Sequence, residues 1–354
     1  MVGRFRAKTG LLFGNWEGIK RKVVRVGILG AGHWAERHVA ALGRLSRRAR
    51  LMLAARRHPD RPFEAALALG ARQVSVEELL GSPEVDAVAI CTPNHLHRPH
   101  AEMAFRSGQH VFCEKPLALT LEDADALIQA ARESRRVLMV GHLTRHLPLY
   151  QKVAEILTSK ELGAPRAMYA SRLQVEKGKS WRMDPHAGGG APFDLLIHDF
   201  DLMNWYLGYP TSVAARARRH PQGAFDHLAA IFTFPDNAVA VTEGSFLLRP
   251  GLGLRSWLRL ICDRGHIELD STNPECPMRV FREDVASGTA REEVIPVPIK
   301  DLAVEAITSE FEEFFDAIEG TPPRRLRLEE ARLAVQCAVL ATRSAETGQA
   351  LPFD

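Results

Sequence analysis

An apolar run at 23–29 ends in Gly30-Ala31-Gly32-His33-Trp34-Ala35 and gives way at once to a helical pattern through Trp34, Val39, Leu42 and Leu45. Strand, tight turn and helix in that order, with small residues spaced G-x-G-x-x-A, constrain the fold more than any other stretch of the chain. The first glycine permits the sharp turn, and the second lets backbone approach a pyrophosphate. Ala35 lets helix pack on strand while the helix N-terminus offers free N–H groups to an anion. The alternation then continues, predicting strands at 51–55, 85–91, 110–113 and 137–141 and helices at 63–69, 99–105 and 121–131. This is the pattern of a parallel sheet wrapped by helices.

After Pro148 the pattern changes. A helix at 149–157 leads into strand-like segments at 166–174, 228–234, 238–245, 257–261 and 265–269, joined by turns such as Pro235-Asp236-Asn237. Without intervening helices these predict a largely antiparallel open sheet. The polar span 273–293 suggests a long surface hairpin, and helices at 303–318 and 328–346 close the chain. At 354 residues the chain can bury two cores. The expected division is an N-terminal extension at 1–22, a Rossmann dinucleotide-binding domain at 23–145 and a substrate-binding and oligomerisation domain at 146–354. The fold class is α/β.

A formal charge of +3 gives no general surface for nucleic acid or other polyanions. Five cysteines without a C-x-x-C pair argue against a disulfide framework and a thiolate zinc site, and fit a reducing cytoplasm. No apolar run approaches the roughly 18 to 20 residues that span a bilayer. Residues 1–22 are basic, lack the apolar core of a secretory signal, and are expected to be a loosely ordered extension.

The second strand of a dinucleotide-binding sheet normally ends in an acid that holds the ribose hydroxyls of NAD. Here Leu53-Ala54-Ala55 runs into Arg56-Arg57. A guanidinium fork pairs with a 2′-phosphate that an acid would repel, so NADP is favoured, with NAD as the alternative.

Glu114-Lys115-Pro116 follows an apolar run, and Asp194 and His198 stand at i and i+4 in a helical segment opened by Pro192. A neutral imidazole can remove a hydroxyl proton as hydride leaves the same carbon. Asp194 can orient it or bond a substrate hydroxyl, and Lys115 can stabilise the developing alkoxide. Together with the glycine turn, Cys91-Thr92-Pro93-Asn94-His95-Leu96-His97, Gly188-Gly189-Gly190 leading to Asp194, His198-Asp199 and Ser344-Ala345-Glu346-Thr347-Gly348, these residues make the chain resemble the Gfo/Idh/MocA oxidoreductases over about residues 23–353. The resemblance implies catalytic roles for Lys115, Asp194 and His198. It implies cofactor contacts from Gly30, Ala31, Gly32, His33, Trp34, Thr92, Pro93, Asn94, His97, Glu114 and Lys115, besides Arg56 and Arg57. It also implies a peptide before Pro116 that is often cis, and contacts to the substrate or the nicotinamide end from Arg145, Trp181 and Arg182. Arg56, where many members have an acid, is the departure, and it bears on the cofactor.

Cys91, His95, His97 and His100, and the pair His142 and His146, are metal-ligand types. The first group spans a strand end, a loop and a helix start, so no metal is expected. Phe311, Phe314, Phe315 and Ile318 form a stripe expected in a core or a subunit interface. The expected activity is NADP-preferring hydride transfer between the nicotinamide and a secondary alcohol or ketone of a sugar, inositol or sugar derivative, in a homodimer or homotetramer. Two alternatives share the fold: a glycosidase that retains its NAD, and a non-catalytic dinucleotide-binding sensor.

Overall fold

The computed structural model describes residues 23–58, 60–176, 181–284, 286–297 and 302–353; the expected extension at 1–22 lies outside them. β1 (Val24–Leu29) feeds α1 (His33–Arg44), followed by β2 (Ala49–Ala55), α2 (Glu64–Ala68), β3 (Arg72–Val74), α3 (Val76–Gly81) and β4 (Ala87–Ile90). Then come α4 (His97–Arg106), β5 (His110–Glu114), α5 (Leu121–Ser134) and β6 (Leu138–Gly141). The six strands form one parallel sheet ordered β3-β2-β1-β4-β5-β6. The chain direction of growth reverses between β1 and β4, so the loops leaving their carboxyl ends flank the crevice where such sheets bind nucleotides.

β3 and α3 escape hydrophobic pattern reading for a physical reason. β3 is a three-residue edge strand with one buried side chain, Val74. α3 is marked by its cap, Ser75, whose hydroxyl accepts the Glu78 N–H at 3.0 Å, and not by its periodicity. Thr120 starts α5 in the same way by accepting the Asp123 N–H at 3.1 Å, with Glu122 and Asp123 set against the positive end of the helix dipole.

α6 (Pro148–Ser159) begins on a proline and leads into β7 (Pro165–Leu173). The expectation of strands without intervening helices fails next, because α7 (Ala191–Asp194) and α8 (Leu196–Leu207) stand between β7 and β8 (Ser212–Arg219). β9 (Phe225–Thr233), β10 (Val239–Ser245), β11 (Arg255–Cys262) and β12 (Gly265–Asp270) follow, then a hairpin of β13 (Met278–Asp284) and β14 (Thr289–Val294) where the polar span predicted one. The chain ends in α9 (Leu302–Ile318), α10 (Leu328–Thr347) and β15 (Leu351–Pro352). The nine strands run in the order β14-β13-β12-β11-β7-β10-β9-β8-β15. All neighbours are antiparallel except β7 with β10. The crossover through α7 and α8 is what permits that parallel pair.

α8 lies against one face of this sheet and is buried along almost its whole length, its polar His198, Asp199, Asp201 and Asn204 included. The opposite face presents Tyr169, Ile231 and Ile261 to solvent from β7, β9 and β11. A division at 145/146 does not describe how the chain ends. α9 returns to the first sheet, where the Phe311 and Phe314 rings sit 4.9 and 5.7 Å from the Phe112 ring of β5, and Phe311 lies 5.5 Å from His38 of α1. The phenylalanine stripe is therefore core, and α9 joins α1 in covering the parallel sheet. No helix among the described residues is long and apolar enough to cross a membrane.

Candidate active site

Gly30 has φ +112, and a Cβ built there would lie 2.5 Å from the Cys91 carbonyl oxygen, so only glycine fits. Gly32 is different. It caps α1 without a side-chain hydrogen bond, and a Cβ there would meet nothing within 4 Å. Open space in front of uncapped helix N–H groups is a cradle that fits a pyrophosphate. Ala35 is fully buried where α1 crosses the sheet. His33 is exposed and Trp34 half-buried at the same helix start, with Arg37 stacked 4.8 Å over the Trp34 ring. β2 ends at Ala55 with no carboxylate; Arg56 Nη1 donates to the Pro62 carbonyl at 3.1 Å and Arg57 is exposed.

The loop after β4 joins the two halves of the protein. Asn94 Nδ2 donates to the Gly188 carbonyl at 2.9 Å, and the His95 N–H donates to the Ala187 carbonyl at 3.2 Å. Thr92 Oγ1 lies 3.3 Å from His100 Nδ1. His97, for which the resemblance implies a cofactor contact, starts α4 at the end of this loop. It is fully buried, with Nδ1 2.8 Å from the Pro116 carbonyl and Nε2 3.1 Å from the Thr92 carbonyl, so it staples this loop to the cis Lys115–Pro116 turn. Among the described residues, no three histidine, cysteine or acidic side chains converge on a metal position.

Lys115 leaves the carboxyl end of β5 with 7% of its side chain exposed. Its Nζ donates to Asp194 twice, to the carbonyl at 2.8 Å and to Oδ1 at 3.0 Å. The second carboxylate oxygen of Asp194 pairs with Arg182 Nε at 3.0 Å, and the Arg182 guanidinium sits 5.2 Å over the Trp181 ring. Burial opposes ionisation of Asp194, but Lys115 and Arg182 outweigh it and hold the carboxyl below its usual range. The loop that delivers Asp194 needs glycine: Gly190 has φ +71 and a Cβ there would lie 2.3 Å from the Phe225 carbonyl oxygen. Glu114 faces away from this pair. Its carboxylate sits 2.6 Å from Nε2 of the buried His38 and accepts the Lys115 N–H at 3.2 Å. Burial again opposes ionisation, and the His38 hydrogen bond and nearby charges bring the carboxyl below its usual range.

Asp194, His198 and Asp201 occupy one stripe of α7 and α8, because Leu195 between the helices keeps helical dihedrals. The Asp194 carboxylate is turned to Lys115 and Arg182, so it does not orient the imidazole of His198. His198 is nearly buried, and its Nδ1 has no hydrogen-bond partner. Burial first, then the charges of Lys115 and Arg172 and the nearby His142, push its pKa well below 6.5 and keep the ring neutral. Two buried ion pairs flank it. Arg172 grips Asp199 with two bonds of 2.9 Å, and Arg145 grips Asp201 with bonds of 2.9 and 2.8 Å. Arg145, for which the resemblance implies a contact in the cleft, is 1% exposed and also donates to the Arg325 carbonyl, so its guanidinium is committed to protein partners. Arg172 has no local sequence signal. The available clue is Asp199 and Asp201 themselves, two carboxylates in an otherwise apolar buried helix, each of which requires a cation.

Known proteins agree with this architecture. Residues 24–142 match the oxidoreductase family model with the NAD-binding Rossmann fold, and residues 150–268 match the GFO/IDH/MocA C-terminal domain. UDP-N-acetylglucosamine 3-dehydrogenase of Acidithiobacillus ferrooxidans is 31% identical over 309 residues, covering 85% of this chain and 90% of that protein. A solved structure of that enzyme has 28% identity and a TM-score of 0.77 over 92% of this chain and 99% of its own. 1,5-Anhydro-D-fructose reductase of Ensifer adhaerens is 28% identical over 294 residues, covering 81% of this chain and 85% of that protein. A levoglucosan dehydrogenase in complex with NADH and L-sorbose shares the fold, with 21% identity and a TM-score of 0.84 over 94% and 99% of the two chains. With the glycine turn, the cis-proline lysine and both halves of the chain matched, this protein belongs to the GFO/IDH/MocA family of NAD-binding sugar and polyol oxidoreductases.

Proposed function

We propose that the chain transfers hydride between a nicotinamide cofactor, NADP in preference to NAD, and a secondary alcohol or ketone of a sugar, inositol or sugar derivative. The observation that carries this reading is the meeting of Lys115 and Asp194, 3.0 Å apart, beside a buried neutral His198 on the same helical stripe. The oxidised nicotinamide, when bound, supplies the hydride acceptor. The residues of the chain do the rest. Gly30, Ala31 and Gly32 receive the pyrophosphate, and Arg56 and Arg57 meet the 2′-phosphate where a carboxylate would repel it. Lys115 holds the substrate oxygen and stabilises negative charge developing on it. His198 takes the hydroxyl proton through Nε2, since Nδ1 is enclosed by protein. Asp194 orients Lys115 through two hydrogen bonds, and with Arg182 and Trp181 supplies polar and aromatic contacts for the remaining hydroxyls.

The exposed face of the nine-stranded sheet, with Tyr169, Ile231 and Ile261 in neighbouring rows, supports a homodimer or homotetramer, which sedimentation velocity tests. The reaction is tested by screening polyols and keto sugars with NADP and NAD while following the nicotinamide absorbance and the product together. Cofactor reduced in proportion to product supports a free dehydrogenase. Sugar released from a glycoside with unconsumed cofactor makes the protein a glycosidase, and ligand-dependent binding without turnover makes it a sensor.

A further inference from the structure

β5 and β6 leave the sheet in register. Glu114 pairs with Gly141, so Lys115 and His142 emerge side by side from its carboxyl edge. Each meets the same stripe of α7 and α8. Lys115 Nζ lies on Asp194, and His142 Nδ1 lies 3.6 Å from Asp201 Oδ2. His198 stands between these two anchors, about one helical turn from each. The His142 side chain is 1% exposed, and neither of its nitrogens has a hydrogen-bond partner. His198 Nδ1 is also buried and unpartnered. Three such atoms on neighbouring rings are a cost that a packed core does not keep without use.

The tautomer of His198 supplies the use. If Nε2 is to accept the substrate proton, its lone pair must be free and the ring hydrogen must sit on Nδ1. That tautomer is the one an unconstrained histidine disfavours, and a buried Nδ1–H requires an acceptor. We infer that His142 is the positioning residue that fixes it: His142 directs its own Nδ1–H at the Asp201 carboxylate and presents its Nε2 lone pair to the Nδ1–H of His198 across one bridging water. Asp201 is in turn held by the two bonds from Arg145, so the end of the chain is an oriented anion.

The charged and titratable groups that face His142 are Asp201, Arg145, Lys115 and Glu114; those that face His198 are Lys115, Arg172 and His142. Burial dominates at both rings and keeps both neutral in the resting protein. During oxidation the substrate hydroxyl proton passes to His198 Nε2. A bound oxidised nicotinamide would accept the hydride from the same carbon, whose C–O bond becomes C=O. The imidazolium keeps its Nδ1–H acceptor throughout, and no proton leaves His142. The inference rests on His198 being the base in the proposed reaction.

The test reads the tautomer directly. The protein is labelled with ring-¹⁵N histidine, and the His198 resonances are identified by their loss in His198→Ala. We expect the Nδ1–H form in the wild type and a shift to the Nε2–H form in His142→Phe, with kcat reduced about 10- to 100-fold and substrate KM little changed. His142→Gln, whose amide both donates and accepts, should recover most of the kcat and the Nδ1–H form. A wild-type His198 in the Nε2–H form overturns the inference without any variant needing to fold. An unchanged tautomer in a folded His142→Phe protein overturns it equally. An Nδ1–H His198 in a protein that transfers no hydride to any sugar or polyol leaves the tautomer assignment standing and removes the proposed reaction instead.

Discussion

Replacing Lys115 by Met keeps the length and apolar stem of the side chain and removes only its charge. In the fold that charge is 3.0 Å from the Asp194 carboxylate and almost enclosed, so no solvent cation takes its place. If this ammonium meets the developing alkoxide, its loss removes one oriented donor, about 2.7–4 kcal/mol of transition-state stabilisation, or about 10²- to 10³-fold in kcat. Stability should respond less. Deleting one partner of a buried pair costs about 3–5 kcal/mol when the survivor is left uncompensated. Asp194 retains Arg182 Nε at 3.0 Å, so we expect a loss below that range and a fall in Tm of only a few degrees. The assay is steady-state turnover with a substrate deuterated at the reacting carbon, beside dinucleotide titration and thermal melting. Dinucleotide affinity should hold, and the isotope effect on kcat should rise as hydride transfer becomes the slow step. Lys115→Arg should not rescue, because a planar fork does not reproduce a compact ammonium that donates to both the carbonyl and the carboxylate of Asp194. Turnover in Lys115→Met within about threefold of the wild type would refute the assignment of alkoxide stabilisation to this residue.

The two glycines of the turn should separate ligand space from chain geometry. Gly32→Ala, with open space for its Cβ, should leave Tm nearly unchanged and weaken dinucleotide binding by about tenfold or more, whereas Gly30→Ala should lower Tm sharply because its Cβ meets the Cys91 carbonyl. Equal effects of the two on Tm would contradict the cradle. Arg56→Asp should raise KM for NADP far more than for NAD; a wild type with better kcat/KM on NAD would remove the phosphate role of Arg56 and Arg57. His110 accepts the Val137 N–H on Nδ1 at 3.0 Å, and burial, then the charge of Arg136, lowers its pKa from 6.5 to about 4. The unfolded ring takes a proton first as pH falls, so this contribution is full above 6.5 and lost between 6.5 and about 4. In His110→Asn, whose carbonyl can accept the same N–H, Tm should decline less steeply across that window; an unchanged slope would exclude His110 from the acid limb.

Much of the parallel sheet was legible because each strand is a short apolar run ended by a turn residue, and the helices between them follow a 3.6-residue period. Where period and burial disagree, legibility stops. β8 sets Val213, Ala215 and Ala217 on one face and Ala214, Arg216 and Arg218 on the other, and its inward residues are too small to announce a strand. α9 shows a clear apolar stripe, but a stripe states only that something covers it. That its phenylalanines meet Phe112 of β5 and His38 of α1 depends on contacts between residues far apart in the sequence. A domain boundary drawn where the pattern changes therefore assigns α9 to the wrong layer.

The candidate site divides along the same line. Gly30, Gly32, Lys115, Asp194 and His198 lie in short motifs whose chemistry depends on local geometry, and local geometry is what sequence carries. Arg145 and His97 lie in equally recognisable motifs, yet one is enclosed by Asp201 and the other by two backbone carbonyls. No spacing distinguishes an arginine that greets a substrate from one that neutralises a buried carboxylate, since both need the same fork at the same depth. What does distinguish them is charge balance within α8. A buried helix that carries Asp199 and Asp201 must draw two cations out of the rest of the chain, and here both are arginines. Read in this way, the His198-Asp199-Phe200-Asp201 segment implies two internal arginines before any contact is known. It also adds to the neutrality of His198, which burial sets first: Arg172, once drawn in to meet Asp199, joins Lys115 in opposing protonation of the ring.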